Sequence, residues 1–128
     1  MELNGQNYVD KAEEVIKALQ RTDKRGNAQM PLTTSKLRNL LAMASELKTD
    51  AQRSREPELS ADMQSRVQYL KMRIAYEAGR DRDVFDFVRR ADLLEQAKRI
   101  GKDRKRLLLF CDYLEALTAY HRFYGGKD

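Results

Sequence analysis

Along this 128-residue chain the apolar positions recur at intervals of three and four, and that period predicts helices almost throughout. Val9, Ala12, Ile16 and Leu19, with Val15 widening the stripe, predict a first helix from Asn7 as N-cap to about Arg21. Residues 21–29 keep no period and are polar, so they read as a mobile loop. Pro31 limits Met30 to extended backbone. The hydroxyls of Thr33, Thr34 and Ser35 then offer caps for a second helix, with Leu32 as a hydrophobic staple near Leu37. Its buried stripe is Leu37, Leu40, Leu41, Ala44 and Leu47, with Lys36 and Arg38 off it. Residues 49–59 lose the pattern, carry Pro57 and several charges, and predict a connector. Ser60 caps a long third helix to about Ala78, and Gly79 supplies its C-terminal conformation. A fourth helix follows Asp81 or Asp83, buries Val84, Phe87, Val88, Ala91 and Leu94, and closes at Gly101. The fifth, about residues 103–124, is the most apolar: Leu107, Leu108, Phe110, Cys111, Leu114, Leu117, His121 and Tyr124. A helix apolar on more than one side belongs at the centre of a bundle or against another chain. The expectation is an all-α fold, a compact bundle of about five helices forming one domain over residues 1–128.

The third helix carries a second pattern. At about 100° per residue, Met63, Val67, Leu70, Ile74 and Ala78 form a core-facing seam. Arg66, Tyr69, Arg73, Tyr76 and Arg80 gather in an adjacent arc. Two readings fit this arc. Guanidinium forks suit phosphate oxygens, and rings or guanidinium planes lie well against bases and riboses. Equally, the tyrosines flank a core and the arginines form a solvated, helix-favouring edge, with Arg80 welcomed by the helix dipole. The second helix start is similarly open: hydroxyls, free N–H groups and two bases make a phosphate cradle, or an ordinary cap.

Composition and charge narrow the function. Good helix formers dominate over six Gly and two Pro, which supports the all-α reading. The 25 Lys and Arg against 20 Asp and Glu leave a net charge of +5, which permits nucleic-acid binding without demanding it. The acids lean toward residues 10–14, while residues 98–106 hold six bases and one acid. No apolar run is long enough to cross a bilayer, and the first residues do not resemble a signal peptide. Cys111 is the sole cysteine, so no internal disulfide forms and a reducing cytoplasm fits. His121 is the sole histidine, whereas zinc sites draw on several His or Cys. Glu13 and Glu14 diverge on a helix, Asp81 and Asp83 read as caps, and no glycine-rich phosphate loop is present. No enzyme, metal or cofactor is expected.

Two segments together carry a family likeness. Thr33-Thr34-Ser35-Lys36-Leu37-Arg38, and some thirty-five residues later Leu70-Lys71-Met72-Arg73-Ile74-Ala75-Tyr76-Glu77-Ala78-Gly79-Arg80, resemble the small helical subunit of type III-A CRISPR effector complexes, the Csm ribonucleoprotein. Its members carry a Thr-Thr-Ser-x-Ile/Leu-Arg helix start and a later Lys-x-x-x-x-Tyr-x-x-Gly-Arg stretch, here Lys71, Tyr76, Gly79 and Arg80. The resemblance implies a non-catalytic subunit of antiviral defence. Copies stack into an inner filament beside a repeated backbone subunit that holds the CRISPR RNA. Together they line the channel for the guide–target RNA duplex. Target RNA cleavage then belongs to the backbone subunit, and the DNase and cyclic-oligoadenylate activities to the large subunit. By position it implies RNA contacts from Lys36, Arg38, Lys71, Arg73 and Arg80, with Tyr76 behind them. Arg66 and Tyr69 join from the stripe alone. The run from Lys98 to Arg106 serves RNA or the large subunit, or is a solvated helix junction.

The partners expected are therefore target RNA, CRISPR RNA, the backbone and large subunits, and copies of the same chain, with a homodimer open for the isolated protein and no membrane. Two rivals remain: a helical oligomerisation or scaffold module built on the fifth helix, and a free-standing nucleic-acid-binding bundle. A nuclease stands further off.

Overall fold

The computed structural model describes all 128 residues and carries six helices: α1 (Tyr8–Leu19), α2 (Thr34–Gln52), α3 (Ala61–Arg80), α4 (Arg82–Ala91), α5 (Leu93–Ile100) and α6 (Arg104–Phe123). Side-chain oxygens set four of the six starts. Thr33 accepts from the N–H of Lys36, Ser60 from Met63, Asp81 from Asp83 and Val84, and Asp103 from Arg106. Asn7 stands before α1 but caps nothing, because its side chain turns back to Asn4 and Glu2.

The all-α expectation holds, with one helix more than expected. The stretch read as a single fourth helix breaks at Asp92, which adopts a left-handed conformation (φ 59°, ψ 34°). The break shifts the buried phase: α4 buries Val84, Phe87, Val88 and Ala91, and α5 buries Leu93, Gln96, Ala97 and Ile100. Leu94, placed in the core by the uninterrupted period, is only half-buried. Gly101 (φ 52°) closes α5 in a region that an L side chain rarely enters.

Three other boundaries differ from the pattern. α2 runs on to Gln52 because Ala51 continues its buried stripe and Thr49 bonds back to the Ser45 carbonyl. The Arg104 guanidinium then donates to the Ala51 carbonyl at 2.7 Å, tying the end of α2 to the start of α6. α3 does not need Gly79 as a terminator; it continues to Arg80, and α4 follows after Asp81 alone. Residues 21–29 form a small antiparallel hairpin, β1 (Arg21–Thr22) with β2 (Ala28–Gln29). Asp23 organises its turn by accepting the N–H groups of Arg25 and Asn27.

α6 lies at the centre. It packs against α1, α2 and α5, while α3 packs against α2, α4 and α5. Its several apolar sides are thereby used inside the chain, with Leu107, Phe110, Cys111, Tyr113, Leu114, Leu117 and His121 all buried. Val9, counted in the α1 stripe, faces outward instead; Ala12, Val15, Ile16 and Leu19 carry that contact. α2 and α3 run antiparallel through the connector, so the start of α2 meets the end of α3. That juxtaposition brings the two motif-bearing segments together.

Candidate nucleic-acid interface

The outward arc of α3 is built from rings and cations. Tyr69, Met72 and Tyr76 are each more than half exposed, at 54%, 56% and 53%. The Arg73 guanidinium lies 4.9 Å from the centre of the Tyr76 ring, and that of Arg80 lies 5.7 Å from it. Tyr76 is thus flanked by a cation one turn before it and another one turn after it, within cation–π range. The two cations are not equivalent. Arg73 donates to the Glu77 carboxylate at 2.7 Å and is only 26% exposed, whereas Arg80 is exposed and has no carboxylate partner. At the other end of the arc, Arg66 is engaged by Asp50 at 2.7 Å and touches the Met63 sulfur.

Lys71 does not join this arc. At 100° per residue it falls about 160° from Arg73, on the far flank of the buried seam. It is half-buried and unpaired there.

The start of α2 is occupied by the chain itself. The N–H of Thr34 donates to the Lys127 carbonyl at 3.0 Å, and the Thr33 hydroxyl takes the N–H of Lys36. The Lys36 ammonium sits 3.1 Å from both Asp81 and Asp83. Hydrogen bonds to Asp83 and then Asp81 raise its pKa above the ordinary lysine value. For Asp81, burial pushes the carboxyl upward, but the Val84 N–H and Lys36 outweigh it and hold the group below the usual carboxylate range. Arg38 is exposed and sits 3.9 Å from Asp128. The cradle read from the hydroxyls and bases is therefore filled by carbonyl and carboxylate oxygens of the same molecule.

Elsewhere the reactive residue types are structural. Cys111 is buried and donates to the Ala44 carbonyl; burial pushes its thiol up to about 12, far from a thiolate at neutral pH. The His121 ring is buried with Nε2 at 2.6 Å from the Leu32 carbonyl, which can only accept, so Nε2 carries the proton. No group of three or more His, Cys, Asp or Glu side chains is arranged to hold a metal ion, and no helix is long and apolar enough to cross a membrane. In the basic run, Arg104 is tied to Ala51, and Arg99 and Arg106 to nearby acids and carbonyls; Lys98, Lys102 and Lys105 face solvent.

Sequence reasoning missed Glu77 and Asp50, the acids that fix two of the named arginines. Glu77 had a local signal, since it stands four residues after Arg73 at the border of seam and arc. Asp50 had none, because its meeting with Arg66 depends on how α2 and α3 pack.

Fold and surface together define a small six-helix bundle that displays a cation–aromatic arc. The sequence model of one known family, Csm2 Type III-A, matches residues 3–127. The chain is 45% identical over 126 residues to the CRISPR system Cms protein Csm2 of Streptococcus thermophilus, covering 98% of both. It is 44% identical over 121 residues to the protein of that name from Mycobacterium tuberculosis, covering 94% of each. Against the one from Enterococcus italicus it is 38% identical over 112 residues, 83% of this chain and 80% of that one. The chain belongs to the Csm2 family, the small subunit of the type III-A CRISPR complex.

Proposed function

We propose that this subunit is a non-catalytic, cytoplasmic holder of RNA. Its copies stack as an inner filament beside the repeated backbone subunit and the large subunit. Its α3 arc lies along the sugar–phosphate backbone of target RNA paired to the CRISPR RNA. The observation that carries this reading is the exposed, carboxylate-free Arg80 one turn from the exposed Tyr76. A guanidinium and a phenol side by side suit a phosphate and its ribose hydroxyl, and guide pairing supplies sequence choice, so no base reading is required. Arg73 supports Tyr76 from below and Arg66 stands at the other end of the arc, while Lys71, across the buried seam, lies outside it. Lys36 joins as the brace that sets the end of α3 against the start of α2, and the exposed Arg38 lies beside Asp128.

The direct test is Arg80→Ala in the reconstituted complex. Helicity and assembly stay unchanged, and capture of a guide-complementary RNA weakens by about threefold to tenfold for one lost charge-assisted contact. Normal capture by the assembled variant would remove the arc from the site. This variant is cleaner than Arg73→Ala, which strips a buried carboxylate of its partner.

The scaffold reading draws on a different fact: Arg66 and Arg73 are both held by internal acids. On that reading Arg80→Glu changes solubility alone. Loss of RNA capture with intact assembly would exclude it.

A further inference from the structure

Glu77 stands where elementary electrostatics disfavours an acid. It lies in the last turn of α3, beside the negative end of the helix dipole. It follows its basic partner by four residues, the weaker order for a helical ion pair. At 8% exposure it is also the only buried carboxylate of the chain. A neutral side chain would avoid all three costs. What the carboxylate achieves is local: Oε1 receives the Arg73 guanidinium at 2.7 Å, and that guanidinium lies against the Tyr76 ring, with Arg80 on the next turn. The order Glu77, Arg73, Tyr76, Arg80 runs from interior to solvent.

We propose that Glu77 is a positioning residue for the RNA-facing arc: its carboxylate anchors Arg73 against the Tyr76 ring, so that the phenol and the Arg80 guanidinium meet a ribose–phosphate strand already ordered. The proposal rests on the RNA-backbone reading above and assigns the buried acid its role. Glu77 does not touch RNA. It removes the ordering cost that a loose arginine and a loose ring would add to every binding event.

The test uses the reconstituted complex and a fluorescein-labelled RNA complementary to its guide, titrated across a range of salt. Glu77→Ala, Arg73→Ala, the double variant and Arg80→Ala are compared, with circular dichroism and assembly checked for each. Glu77→Ala weakens capture by about twofold to tenfold, the cost of ordering the released side chain, and leaves the salt slope unchanged because the phosphate contact is that of Arg80 and Arg73 makes none. In the Arg73→Ala background the same change has no further effect, since Glu77 acts only through Arg73. A loss of equal size in both backgrounds overturns the proposal in favour of a purely structural acid. Tighter capture with a steeper salt slope overturns it too, because Glu77 would then mask Arg73. Glu77→Gln keeps size and one acceptor, and is expected to lose less than Glu77→Ala, again only where Arg73 is present. If Glu77→Ala does not assemble, the Arg73 dependence of Glu77→Gln decides. Arg80→Ala capturing RNA as well as the unaltered chain sinks the RNA-backbone reading itself. A loss at Arg80 with none at Glu77 sinks only the positioning role.

Discussion

Lys36 shows how one side chain can carry a family motif and still be spent inside the molecule. Its ammonium bridges the two carboxylates that open α4, and one of these, Asp81, also caps that helix. Asp81→Asn keeps a capping oxygen but loses the charge, so at neutral pH it costs about 1 kcal/mol, a figure kept small because both partners are partly exposed. The pH window follows from the directions of the shifts. The folded Asp81 carboxyl lies below its ordinary 3.8, so its contribution is present above that value and is lost as pH falls through the folded pKa. Lys36 is raised above 10.5, so its contribution is whole below that value and disappears as pH rises through the folded pKa. The melting temperatures of Asp81→Asn and the unaltered chain should therefore converge as pH falls through the folded Asp81 pKa; a gap that persists below it would assign the loss to capping. A second residue-scale outcome concerns Cys111, whose thiol burial pushes up to about 12. Alkylation at pH 8 should be slow in the folded chain and fast in denaturant, because only the thiolate reacts.

Asp92 marks the limit of what periodicity tells about elements. Nothing of the usual punctuation, neither Gly nor Pro, stands between Arg82 and Ile100, and Val84 through Leu94 keep a helical spacing. The break was nonetheless written in the phase, because Leu93, Ala97 and Ile100 cannot share a face with Val84, Phe87 and Ala91 on one straight helix. An aspartate tolerates the left-handed region better than most side chains. Here its carboxylate also accepts from Gln96 at 3.1 Å. Asp92→Ala should cost about 1–2 kcal/mol through backbone strain and the lost acceptor, and Asp92→Gly less than half of that, since glycine removes the strain. Equal losses in denaturant unfolding would mean that the acceptor, not the conformation, matters. Two other helix starts were legible for an opposite reason: Ser60 stands as a cap before α3 and Asp81, with Asp83 beside it, before α4, and local chemistry narrowed those boundaries. The end of α2 was not, because Thr49 to Gln52 look like linker until Ala51 finds its place in the core.

At the scale of the molecule, a list of basic residues differs from an interface in which of the bases keep their charge available. Sequence could place Arg66, Arg73 and Arg80 on one arc, since that needs only the helical period. It could not tell that Asp50 meets Arg66 or that Asp81 and Asp83 meet Lys36, because those acids arrive from other helices. Salt dependence separates the two kinds of base. A lysine already neutralised by two carboxylates releases no counterion on binding RNA, while an unpaired arginine releases one. Lys36→Ala should therefore lower the melting temperature, leaving two acids to repel each other, yet keep the slope of log affinity against log salt for a single-stranded RNA. Arg80→Ala should do the converse, with melting within about 0.5 kcal/mol of the unaltered chain and a slope flatter by about 0.7. If Lys36→Ala flattened the slope by as much, the lysine would have to leave its carboxylates to meet RNA, and the start of α2 would then be a binding surface that opens only when the strand arrives.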